Sequence, residues 1–256
     1  SEDETVAPAP IYSERELAIE ISAISEQLQH KTDWAVRNSA CRRLQAIALG
    51  GACDFPGFLP HMKTLREPLV AQCAELRSSI VREACAALAV IGSILREAFE
   101  PFVHDYFPPL IKQTVVTIQV IRESSNECIR ALLLYTCPVK VVPKILSSLS
   151  DRSAALRKNA CIYLLLLLDT APTYAEGERS PLERHAEPIL TVLKASLTDA
   201  VSEVRATSRS AFWAFHRHFP SRASRLLPLL DASTHRLVLE EQEHYERSRL
   251  AGETTQ

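Results

Sequence analysis

The residues that could do catalytic chemistry here are eight histidines, 31 carboxylates and seven cysteines, and none of them forms a known catalytic or metal-binding pattern. The sequence has no HExxH, GxSxG or GxGxxG motif and no CxxC pair. His216 and His218 are two residues apart, so they cannot share a helical face as two metal ligands would. We therefore expect no enzyme, no cofactor and no metal site, and we expect these histidines to be surface or partly packed residues.

One tryptophan and a set of cations indicate a different chemistry, that of protein association. Trp34 directly follows Asp33, which is a good helix N-cap, so its indole lies at the mouth of a helix. The ring either folds back onto the first helix near Leu28 or stays exposed for a partner. Trp213 lies mid-helix among phenylalanines, and we expect it to pack inside.

Composition excludes several classes of protein. Hydrophobic residues make up 46% of the 256 residues, which is enough for a sizeable core. The net charge of −2 provides no global basic field for nucleic acid. The longest apolar run, Cys161 to Leu168, is too short to cross a bilayer. Cys41, Cys85 and Cys161 lie in apolar helical patterns and the number of cysteines is odd, so we expect free thiols in a reducing compartment.

The most informative feature is an internal repeat. Both clear copies read Leu-x-Asp, four residues, an aliphatic residue and Arg, and they lie 48 residues apart. They are Leu149, Asp151, Leu156, Arg157 and Leu197, Asp199, Val204, Arg205. Partial copies surround Arg37, Arg82 and Arg122. The period of roughly 35 to 48 residues is near that of HEAT and armadillo repeats.

Helical patterns precede and follow each motif arginine, and Ser13 with Glu16 forms a capping-box signature before the first one. We predict an all-α fold, a HEAT-repeat α-solenoid of about six antiparallel helix pairs. The predicted pairs are residues 13–50, 55–97, 101–136, 138–169, 180–218 and 220–249. They make a single domain over residues 13–249, with disordered tails at 1–12 and 250–256.

In such a stack the turns inside the pairs fall on one edge, so residues far apart in sequence become neighbours. This ridge holds Trp34, Arg77, Ser78, Gln119, Arg122, Arg152, Ser153, Lys158, Ser202 and Arg205. A largely cationic ridge favours an acidic partner. Two structural alternatives stand beside this interpretation. Arg37, Arg157 and Arg205 could bridge neighbouring repeats, and Arg77, Arg152 and Lys158 could be ordinary surface charges.

At this point the sequence resembles a known family, the TOG domains of CLASP-type microtubule-associated proteins, over about Asp33 to Gln242. The segments that carry the resemblance are DWAVR, LRSSIVREAC, LRKNACIYLLLLL and AFWAFHRHF. Together they are most similar to the second TOG domain of these proteins. One position departs from the family: Gln119 stands where a lysine is expected.

The resemblance implies a non-catalytic, tubulin-binding HEAT module that acts on microtubules in the cytoplasm, with plus ends as the expected place. It implies that αβ-tubulin is the partner, that an aromatic residue of the first turn contacts β-tubulin, and that CLASP-type proteins suppress catastrophe and promote rescue. The implied tubulin-binding residues are Trp34, Arg77, Ser78, Ser79, Val81, Arg122, Arg152, Lys158, Arg205 and Arg209. We expect a monomer when the domain is isolated, and neither nucleic acid nor membrane as a partner. The competing hypothesis is a TOG-like scaffold for another protein.

Overall fold

The computed structural model describes residues 5–175 and 178–253. The regular secondary structure in that part of the chain consists of α-helices and short 3-10 helices, without a β-strand. Twelve α-helices follow one another in six antiparallel pairs, joined by turns and short 3-10 segments. The predicted all-α fold of six pairs is confirmed, with pair boundaries within a few residues of those expected. The helices are α1 Glu14–Leu28, α2 Trp34–Leu49, α3 Phe58–Cys73, α4 Ser78–Leu95, α5 Glu100–Gln113, α6 Gln119–Thr136, α7 Val142–Leu149, α8 Ala154–Thr170, α9 Ala186–Ser196, α10 Ser202–His218, α11 Pro220–Leu226 and α12 Ala232–Glu253.

Side-chain caps fix where several helices begin. The Ser13 hydroxyl accepts the Glu16 amide at 3.1 Å, and the Glu16 carboxylate accepts the Tyr12 amide at 2.8 Å. The predicted capping box is therefore present, with Tyr12 in place of the cap residue as the second donor. Asp33 caps α2 in the same way, and Ser153 caps α8. These caps determine where the turns inside the pairs end.

The helices fall into two compact units, one through Lys140 and one from Val141. In unit 1, the first helices of the pairs, α1, α3 and α5, pack side by side, and so do the second helices, α2, α4 and α6. In unit 2, α7 packs against α9 and α9 against α11, while α8 packs against α10 and α10 against α12; α11 and α12 both pack on α10 and hardly touch each other. Each unit is thus a stack of three HEAT-type pairs, and the turns inside those pairs share one edge of their unit.

Apolar side chains that face inward from both layers form the core of each unit. Leu44, Leu88 and Leu132 lie fully buried on successive second helices of unit 1. In unit 2 the indole of Trp213 is 6% exposed, and its Nε1 donates to the Val238 carbonyl at 2.7 Å. The predicted packing role of Trp213 is confirmed.

Both ends of the described chain differ from the expected tails. The Ala9 amide donates to the Ala46 carbonyl at 2.8 Å, and Ile11 is buried. Gly50 permits this approach, because a Cβ there would lie 2.0 Å from the Ala9 oxygen. At the other end, α12 continues to Glu253. Ala9 and Ile11 thus contact the folded part and α12 runs past residue 249, while the disorder of the tails stays a prediction; residues 1–4 and 254–256 lie outside the described part.

One stretch of unit 1, Ser78–Gln113, has the length and mean hydropathy, 1.6, of a membrane span. Half of its most apolar window is buried within the protein, and core helices of soluble proteins can reach the same length and hydropathy. The backbone also breaks this stretch at Arg96, where φ is 51°, before α5 begins. Its hydropathy is therefore weak support for membrane insertion.

All seven cysteines are unpaired, and six of them are buried, with Cys137 partly exposed. Burial raises the pKa of Cys41 and of Cys53 to about 12, and that of Cys161 and of Cys137 to about 11. Because the thiolate is the reactive form, such thiols are poor nucleophiles while the protein is folded. Their role in the fold is to fill the core as small apolar side chains.

We predict that Ellman's reagent at pH 8 modifies at most one thiol of the native protein, slowly, and all seven in guanidinium chloride. Cys137 is the expected slow site because it is the partly exposed one. The control is Cys137→Ser, which should remove the native reaction and leave six thiols to react after unfolding. Rapid modification of two or more thiols in the native protein would contradict the buried arrangement.

Candidate protein-binding edge

The turns inside the first five pairs are residues 29–33, 74–77 and 114–118 in unit 1, and 150–153 and 197–201 in unit 2. We number them turns 1 to 5 in chain order. The turn edge of unit 1 is defined here as turns 1 to 3 with the first helical turn after each. The turn edge of unit 2 is defined in the same way from turns 4 and 5.

Trp34 is the first residue of α2 and projects from the turn edge of unit 1. The Asp33 carboxylate caps the helix by accepting the amides of Ala35 at 2.9 Å and Val36 at 3.4 Å. The indole remains 40% exposed, so it does not fold into the core. Instead the guanidinium carbon of Arg77, from turn 2, lies 4.5 Å from the centroid of its ring. One part of the indole is thus covered by a cation and another part faces solvent.

Ion pairing and hydrogen bonds join turn 1 to turn 2. Arg37 on α2 donates to the Glu75 carboxylate at 2.6 Å and to the Gln72 side chain at 3.1 Å. Gln72 in turn donates to the Leu28 carbonyl, at the end of α1, at 3.1 Å. The Arg37 hydrogen bond lowers the pKa of Glu75, assisted by the Leu76 amide. The alternative in which Arg37 bridges neighbouring repeats is confirmed.

A second glutamine joins turn 2 to turn 3. Gln113, the last residue of α5, donates its side-chain amide to the Glu75 carbonyl at 2.9 Å and the Cys73 carbonyl at 3.3 Å. Gln72 on α3 and Gln113 on α5 therefore have equivalent positions and make equivalent hydrogen bonds one repeat apart. Each satisfies carbonyl groups at the end of the preceding first helix, which would otherwise lack partners. As a result the three turns of unit 1 are fixed to one another.

Exposed apolar side chains also lie on this edge, and the sequence analysis missed them. Leu76 in turn 2 is 78% exposed, and Ile118 and Val120 beside turn 3 are about half as exposed, at 46% and 41%. The signal that could have found Leu76 and Ile118 is the presence of aliphatic residues inside short turns, where polar residues are usual; Val120 follows as the second residue of α6.

The start of α4 separates the predicted contact residues into two groups. Arg77 is exposed, and Ser78 and Ser79 are half-buried in the first turn of the helix. Val81 is fully buried, because it lies on the core-facing side of α4. Its side chain packs inside unit 1, and the prediction that Val81 contacts a partner stays a prediction that its exposed neighbours carry better.

Arg122, Arg157 and Arg205 share one local structure that the repeat motif did not reveal. In each case Nη1 donates to the carbonyls six and five residues earlier, in the turn before the helix. The distances from Nη1 to the carbonyl six residues earlier are 3.1 Å, 3.0 Å and 2.7 Å, respectively. The motif arginine therefore acts first as a cap for its own turn, and only part of its guanidinium is left for other partners.

Arg157 also reaches the next repeat in unit 2. Its Nε and Nη2 donate to the two Asp199 carboxylate oxygens at 2.8 Å and 3.1 Å, a bidentate pair. This hydrogen bonding lowers the pKa of Asp199. The predicted inter-repeat role is confirmed for Arg157. It is wrong for Arg205, which bonds the Asp199 and Ala200 carbonyls of its own turn.

The remaining cations of the turn edge of unit 2 differ in their exposure and in whether a carboxylate lies beside them. Lys158 donates to the Glu203 carboxylate at 3.0 Å, and this contact lowers the pKa of Glu203 to about 2. Arg152 is exposed, and Arg209 is half-buried. On the turn edge of unit 1, Gln119 donates to Glu123 at 2.8 Å. Among the cations expected along the ridge, Lys158 is therefore paired with a carboxylate, while Arg122 and Arg205 are held by backbone carbonyls of their own turns.

His216 and His218, the two histidines considered as possible metal ligands, occupy packed or partly packed positions. His218 is 9% exposed, its Nε2 lies 2.7 Å from the Leu168 carbonyl, and burial lowers its pKa. His216 contacts the ring of Trp213. In the part of the chain that the structure describes, no group of three or more His, Cys, Asp or Glu side chains is arranged to hold a metal ion.

Comparison with known proteins gives consistent matches over most of the chain. A family model described as CLASP N terminal matches residues 17–239. A CLIP-associated protein of Arabidopsis thaliana is 36% identical over 240 residues, which is 93% of this chain and 16% of that protein. CLIP-associating protein 1 of Xenopus tropicalis is 30% identical over 231 residues, 90% of this chain and again 16% of the relative. The chain thus spans about one sixth of these relatives.

Solved structures show the same fold at low sequence identity. A chain from work on tubulin recruitment and assembly by microtubule polymerases with Tumor Overexpressed Gene (TOG) domain arrays superposes with a TM-score of 0.69. It is 14% identical, and the match covers 95% of this chain and 49% of the other. This similarity establishes the fold, and the closer sequence relatives establish the family.

The bidentate pair between Arg157 and Asp199 predicts a pH-dependent contribution to stability. We expect Arg157→Ala to lower the free energy of unfolding at pH 7 by more than the control substitution described below, since it removes charged hydrogen bonds from a half-buried site. The pKa of Asp199 is lower in the folded state, so this contribution is present above the unfolded value of about 3.9 and is lost as pH falls through the folded value.

Urea unfolding at pH 7 and pH 3 measures both effects. The difference between wild type and Asp199→Asn should shrink at the lower pH. Arg152→Ala is the matched control, because it removes an exposed arginine from the adjoining turn and should change stability by less than about 0.5 kcal/mol. If Arg157→Ala were as stable as this control at pH 7, the inter-repeat contact would have no structural role.

Proposed function

Because the chain belongs to the CLASP N-terminal family, we propose that it binds αβ-tubulin through the turns inside its helix pairs, without catalysis. The observation that carries the proposal is the exposed indole of Trp34, held on the turn edge of unit 1 by Arg77 at 4.5 Å. We further propose that the module acts on cytoplasmic microtubules, where it suppresses catastrophe and promotes rescue. Its similarity to the second TOG domain in particular remains a prediction.

The names of the relatives and structural neighbours support tubulin as the partner. The sequence relatives are CLIP-associated and CLIP-associating proteins, and the structural neighbour comes from work on tubulin recruitment. The geometry supports the same partner through its chemistry. A half-exposed tryptophan beside exposed aliphatic residues is typical of the centre of a protein interface. The apolar part of the turn edge of unit 1 consists of Trp34, Leu76, Ile118 and Val120.

The charges on both turn edges support a modest electrostatic contribution. Arg37 and Arg157 are bound to carboxylates, and Lys158 has Glu203 beside it. Arg77 and Arg152 are the exposed arginines among the proposed contacts. Of these two, Arg152, which lies on no aromatic ring in the described part of the chain, would steer an acidic partner such as tubulin, an effect that salt screens. The apolar contacts would then supply most of the affinity.

We predict that Trp34→Ala weakens tubulin binding by at least about 30-fold, the effect of truncating a central interface residue worth at least ~2 kcal/mol. The measurement is co-elution with tubulin in size-exclusion chromatography, followed by a titration for the dissociation constant. The far-UV circular dichroism spectrum should be unchanged, because the ring contributes little to the core.

Tyr12→Ala is the matched control, because Tyr12 is an exposed aromatic residue at the start of α1, at the opposite end from turn 1. It should bind tubulin like the wild type. Equal binding by Trp34→Ala and the wild type would remove the proposed anchor. A wild-type chain that fails to bind tubulin at low salt would favour the alternative of a scaffold for another protein.

A further inference from the structure

We propose that Arg77 acts through Trp34: its guanidinium holds the indole in one exposed orientation, so Arg77 is a positioning residue and not a separate charge contact with the partner. This inference rests on the proposed function, and it changes the role given to one predicted contact residue. The distance of 4.5 Å from the Arg77 guanidinium carbon to the ring centroid is within the range of a cation–π contact.

The ring needs such a support because of where it lies. Trp34 is the first residue of α2, so no preceding helical turn packs against its side chain. An indole at this position that is 40% exposed would otherwise sample several rotamers. The stacked guanidinium covers one part of the ring and leaves another part for a partner. Ordering a side chain before binding reduces the entropy lost when the complex forms.

Arg77 can hold the ring because its own backbone is fixed from both neighbouring repeats. The Glu75 carboxylate accepts the Leu76 amide at 2.8 Å through one oxygen and Arg37 at 2.6 Å through the other. Gln113 holds the Glu75 carbonyl from the far side at 2.9 Å. Arg77 follows two residues later as the N-cap position of α4. The contact between Arg77 and Trp34 is therefore part of a rigid turn.

The arrangement is reciprocal. Arg37, one helical turn after Trp34, reaches Glu75 in turn 2, while Arg77 in turn 2 reaches back to Trp34. Two cations thus cross the gap between the first and second repeats in opposite directions. Arg37 fixes the turn, and the turn presents Arg77 to the ring. If Arg77 served mainly as a charge for tubulin, its guanidinium would not need to lie over an aromatic face.

The test is a double-mutant cycle of Arg77→Ala and Trp34→Ala, read by tubulin affinity at several salt concentrations. In the wild-type background, Arg77→Ala should weaken binding about two- to fivefold, the size of an exposed cation–π contact. In the Trp34→Ala background it should have no further effect. Arg77→Lys keeps the charge but loses the planar group, so it should weaken binding almost as much as Arg77→Ala.

Acrylamide quenching of the unbound protein gives a second readout that is independent of tubulin. Trp213 is 6% exposed and hydrogen-bonded, so quenching reports mainly on Trp34. Arg77→Ala should increase the quenching constant, because the covered face of the ring becomes accessible. Arg152→Ala is the matched control: it removes an exposed arginine from turn 4, and it should leave quenching unchanged and reduce the salt dependence of binding.

The results separate this inference from the proposed function. Equal effects of Arg77→Ala in both backgrounds, with a reduced salt dependence like that of Arg152→Ala, would make Arg77 a separate contact and overturn the inference. Unchanged quenching in Arg77→Ala would also overturn it. If Trp34→Ala bound tubulin like the wild type, the proposed function would lose its anchor, while the quenching comparison would still decide whether Arg77 holds the ring.

Discussion

The contact between α2 and turn 2 fixes the geometry on which the candidate site depends. Arg37 and Glu75 form an ion pair at 2.6 Å, and Arg77 returns to Trp34 at 4.5 Å, so the first two repeats are joined in both directions. Neither contact is deeply buried, and each alone would add little to stability. Their importance lies in orientation: they hold a large aromatic ring on the outside of a helical protein, where burial would otherwise be favoured.

In the other turns, too, polar side chains are used to fix the backbone. Glutamines at the ends of α3 and α5 satisfy carbonyls of the neighbouring repeat, and motif arginines satisfy carbonyls of their own turns. Groups that could have met a partner are thus used to keep the turns rigid. A rigid edge with exposed aliphatic side chains and few free cations favours binding by shape and apolar contact. Charge then contributes mainly to the rate of encounter.

Sequence reasoning found the helix pairs because the apolar spacing and the cap residues act locally, as the Ser13 and Asp33 caps illustrate. It also placed Trp213 in the core, since aromatic neighbours on one helix indicate packing. It could not show that Val81 points inward or that Arg205 folds onto its own turn. Those outcomes depend on helix rotation and on which acceptor is nearest in space. Leu76 was missed because its exposure follows from the path of turn 2 and not from its residue type.

The most direct test of the account is hydrogen exchange of the chain alone and saturated with tubulin. The account predicts slower exchange at turns 1 to 3, residues 29–34, 74–78 and 114–120. It predicts little change at the connections between pairs, residues 50–57 and 137–141, which lie at the other end of the helices. Protection confined to those connections, with turns 1 to 3 exchanging as in the free protein, would show that tubulin binds elsewhere and would contradict the central claim.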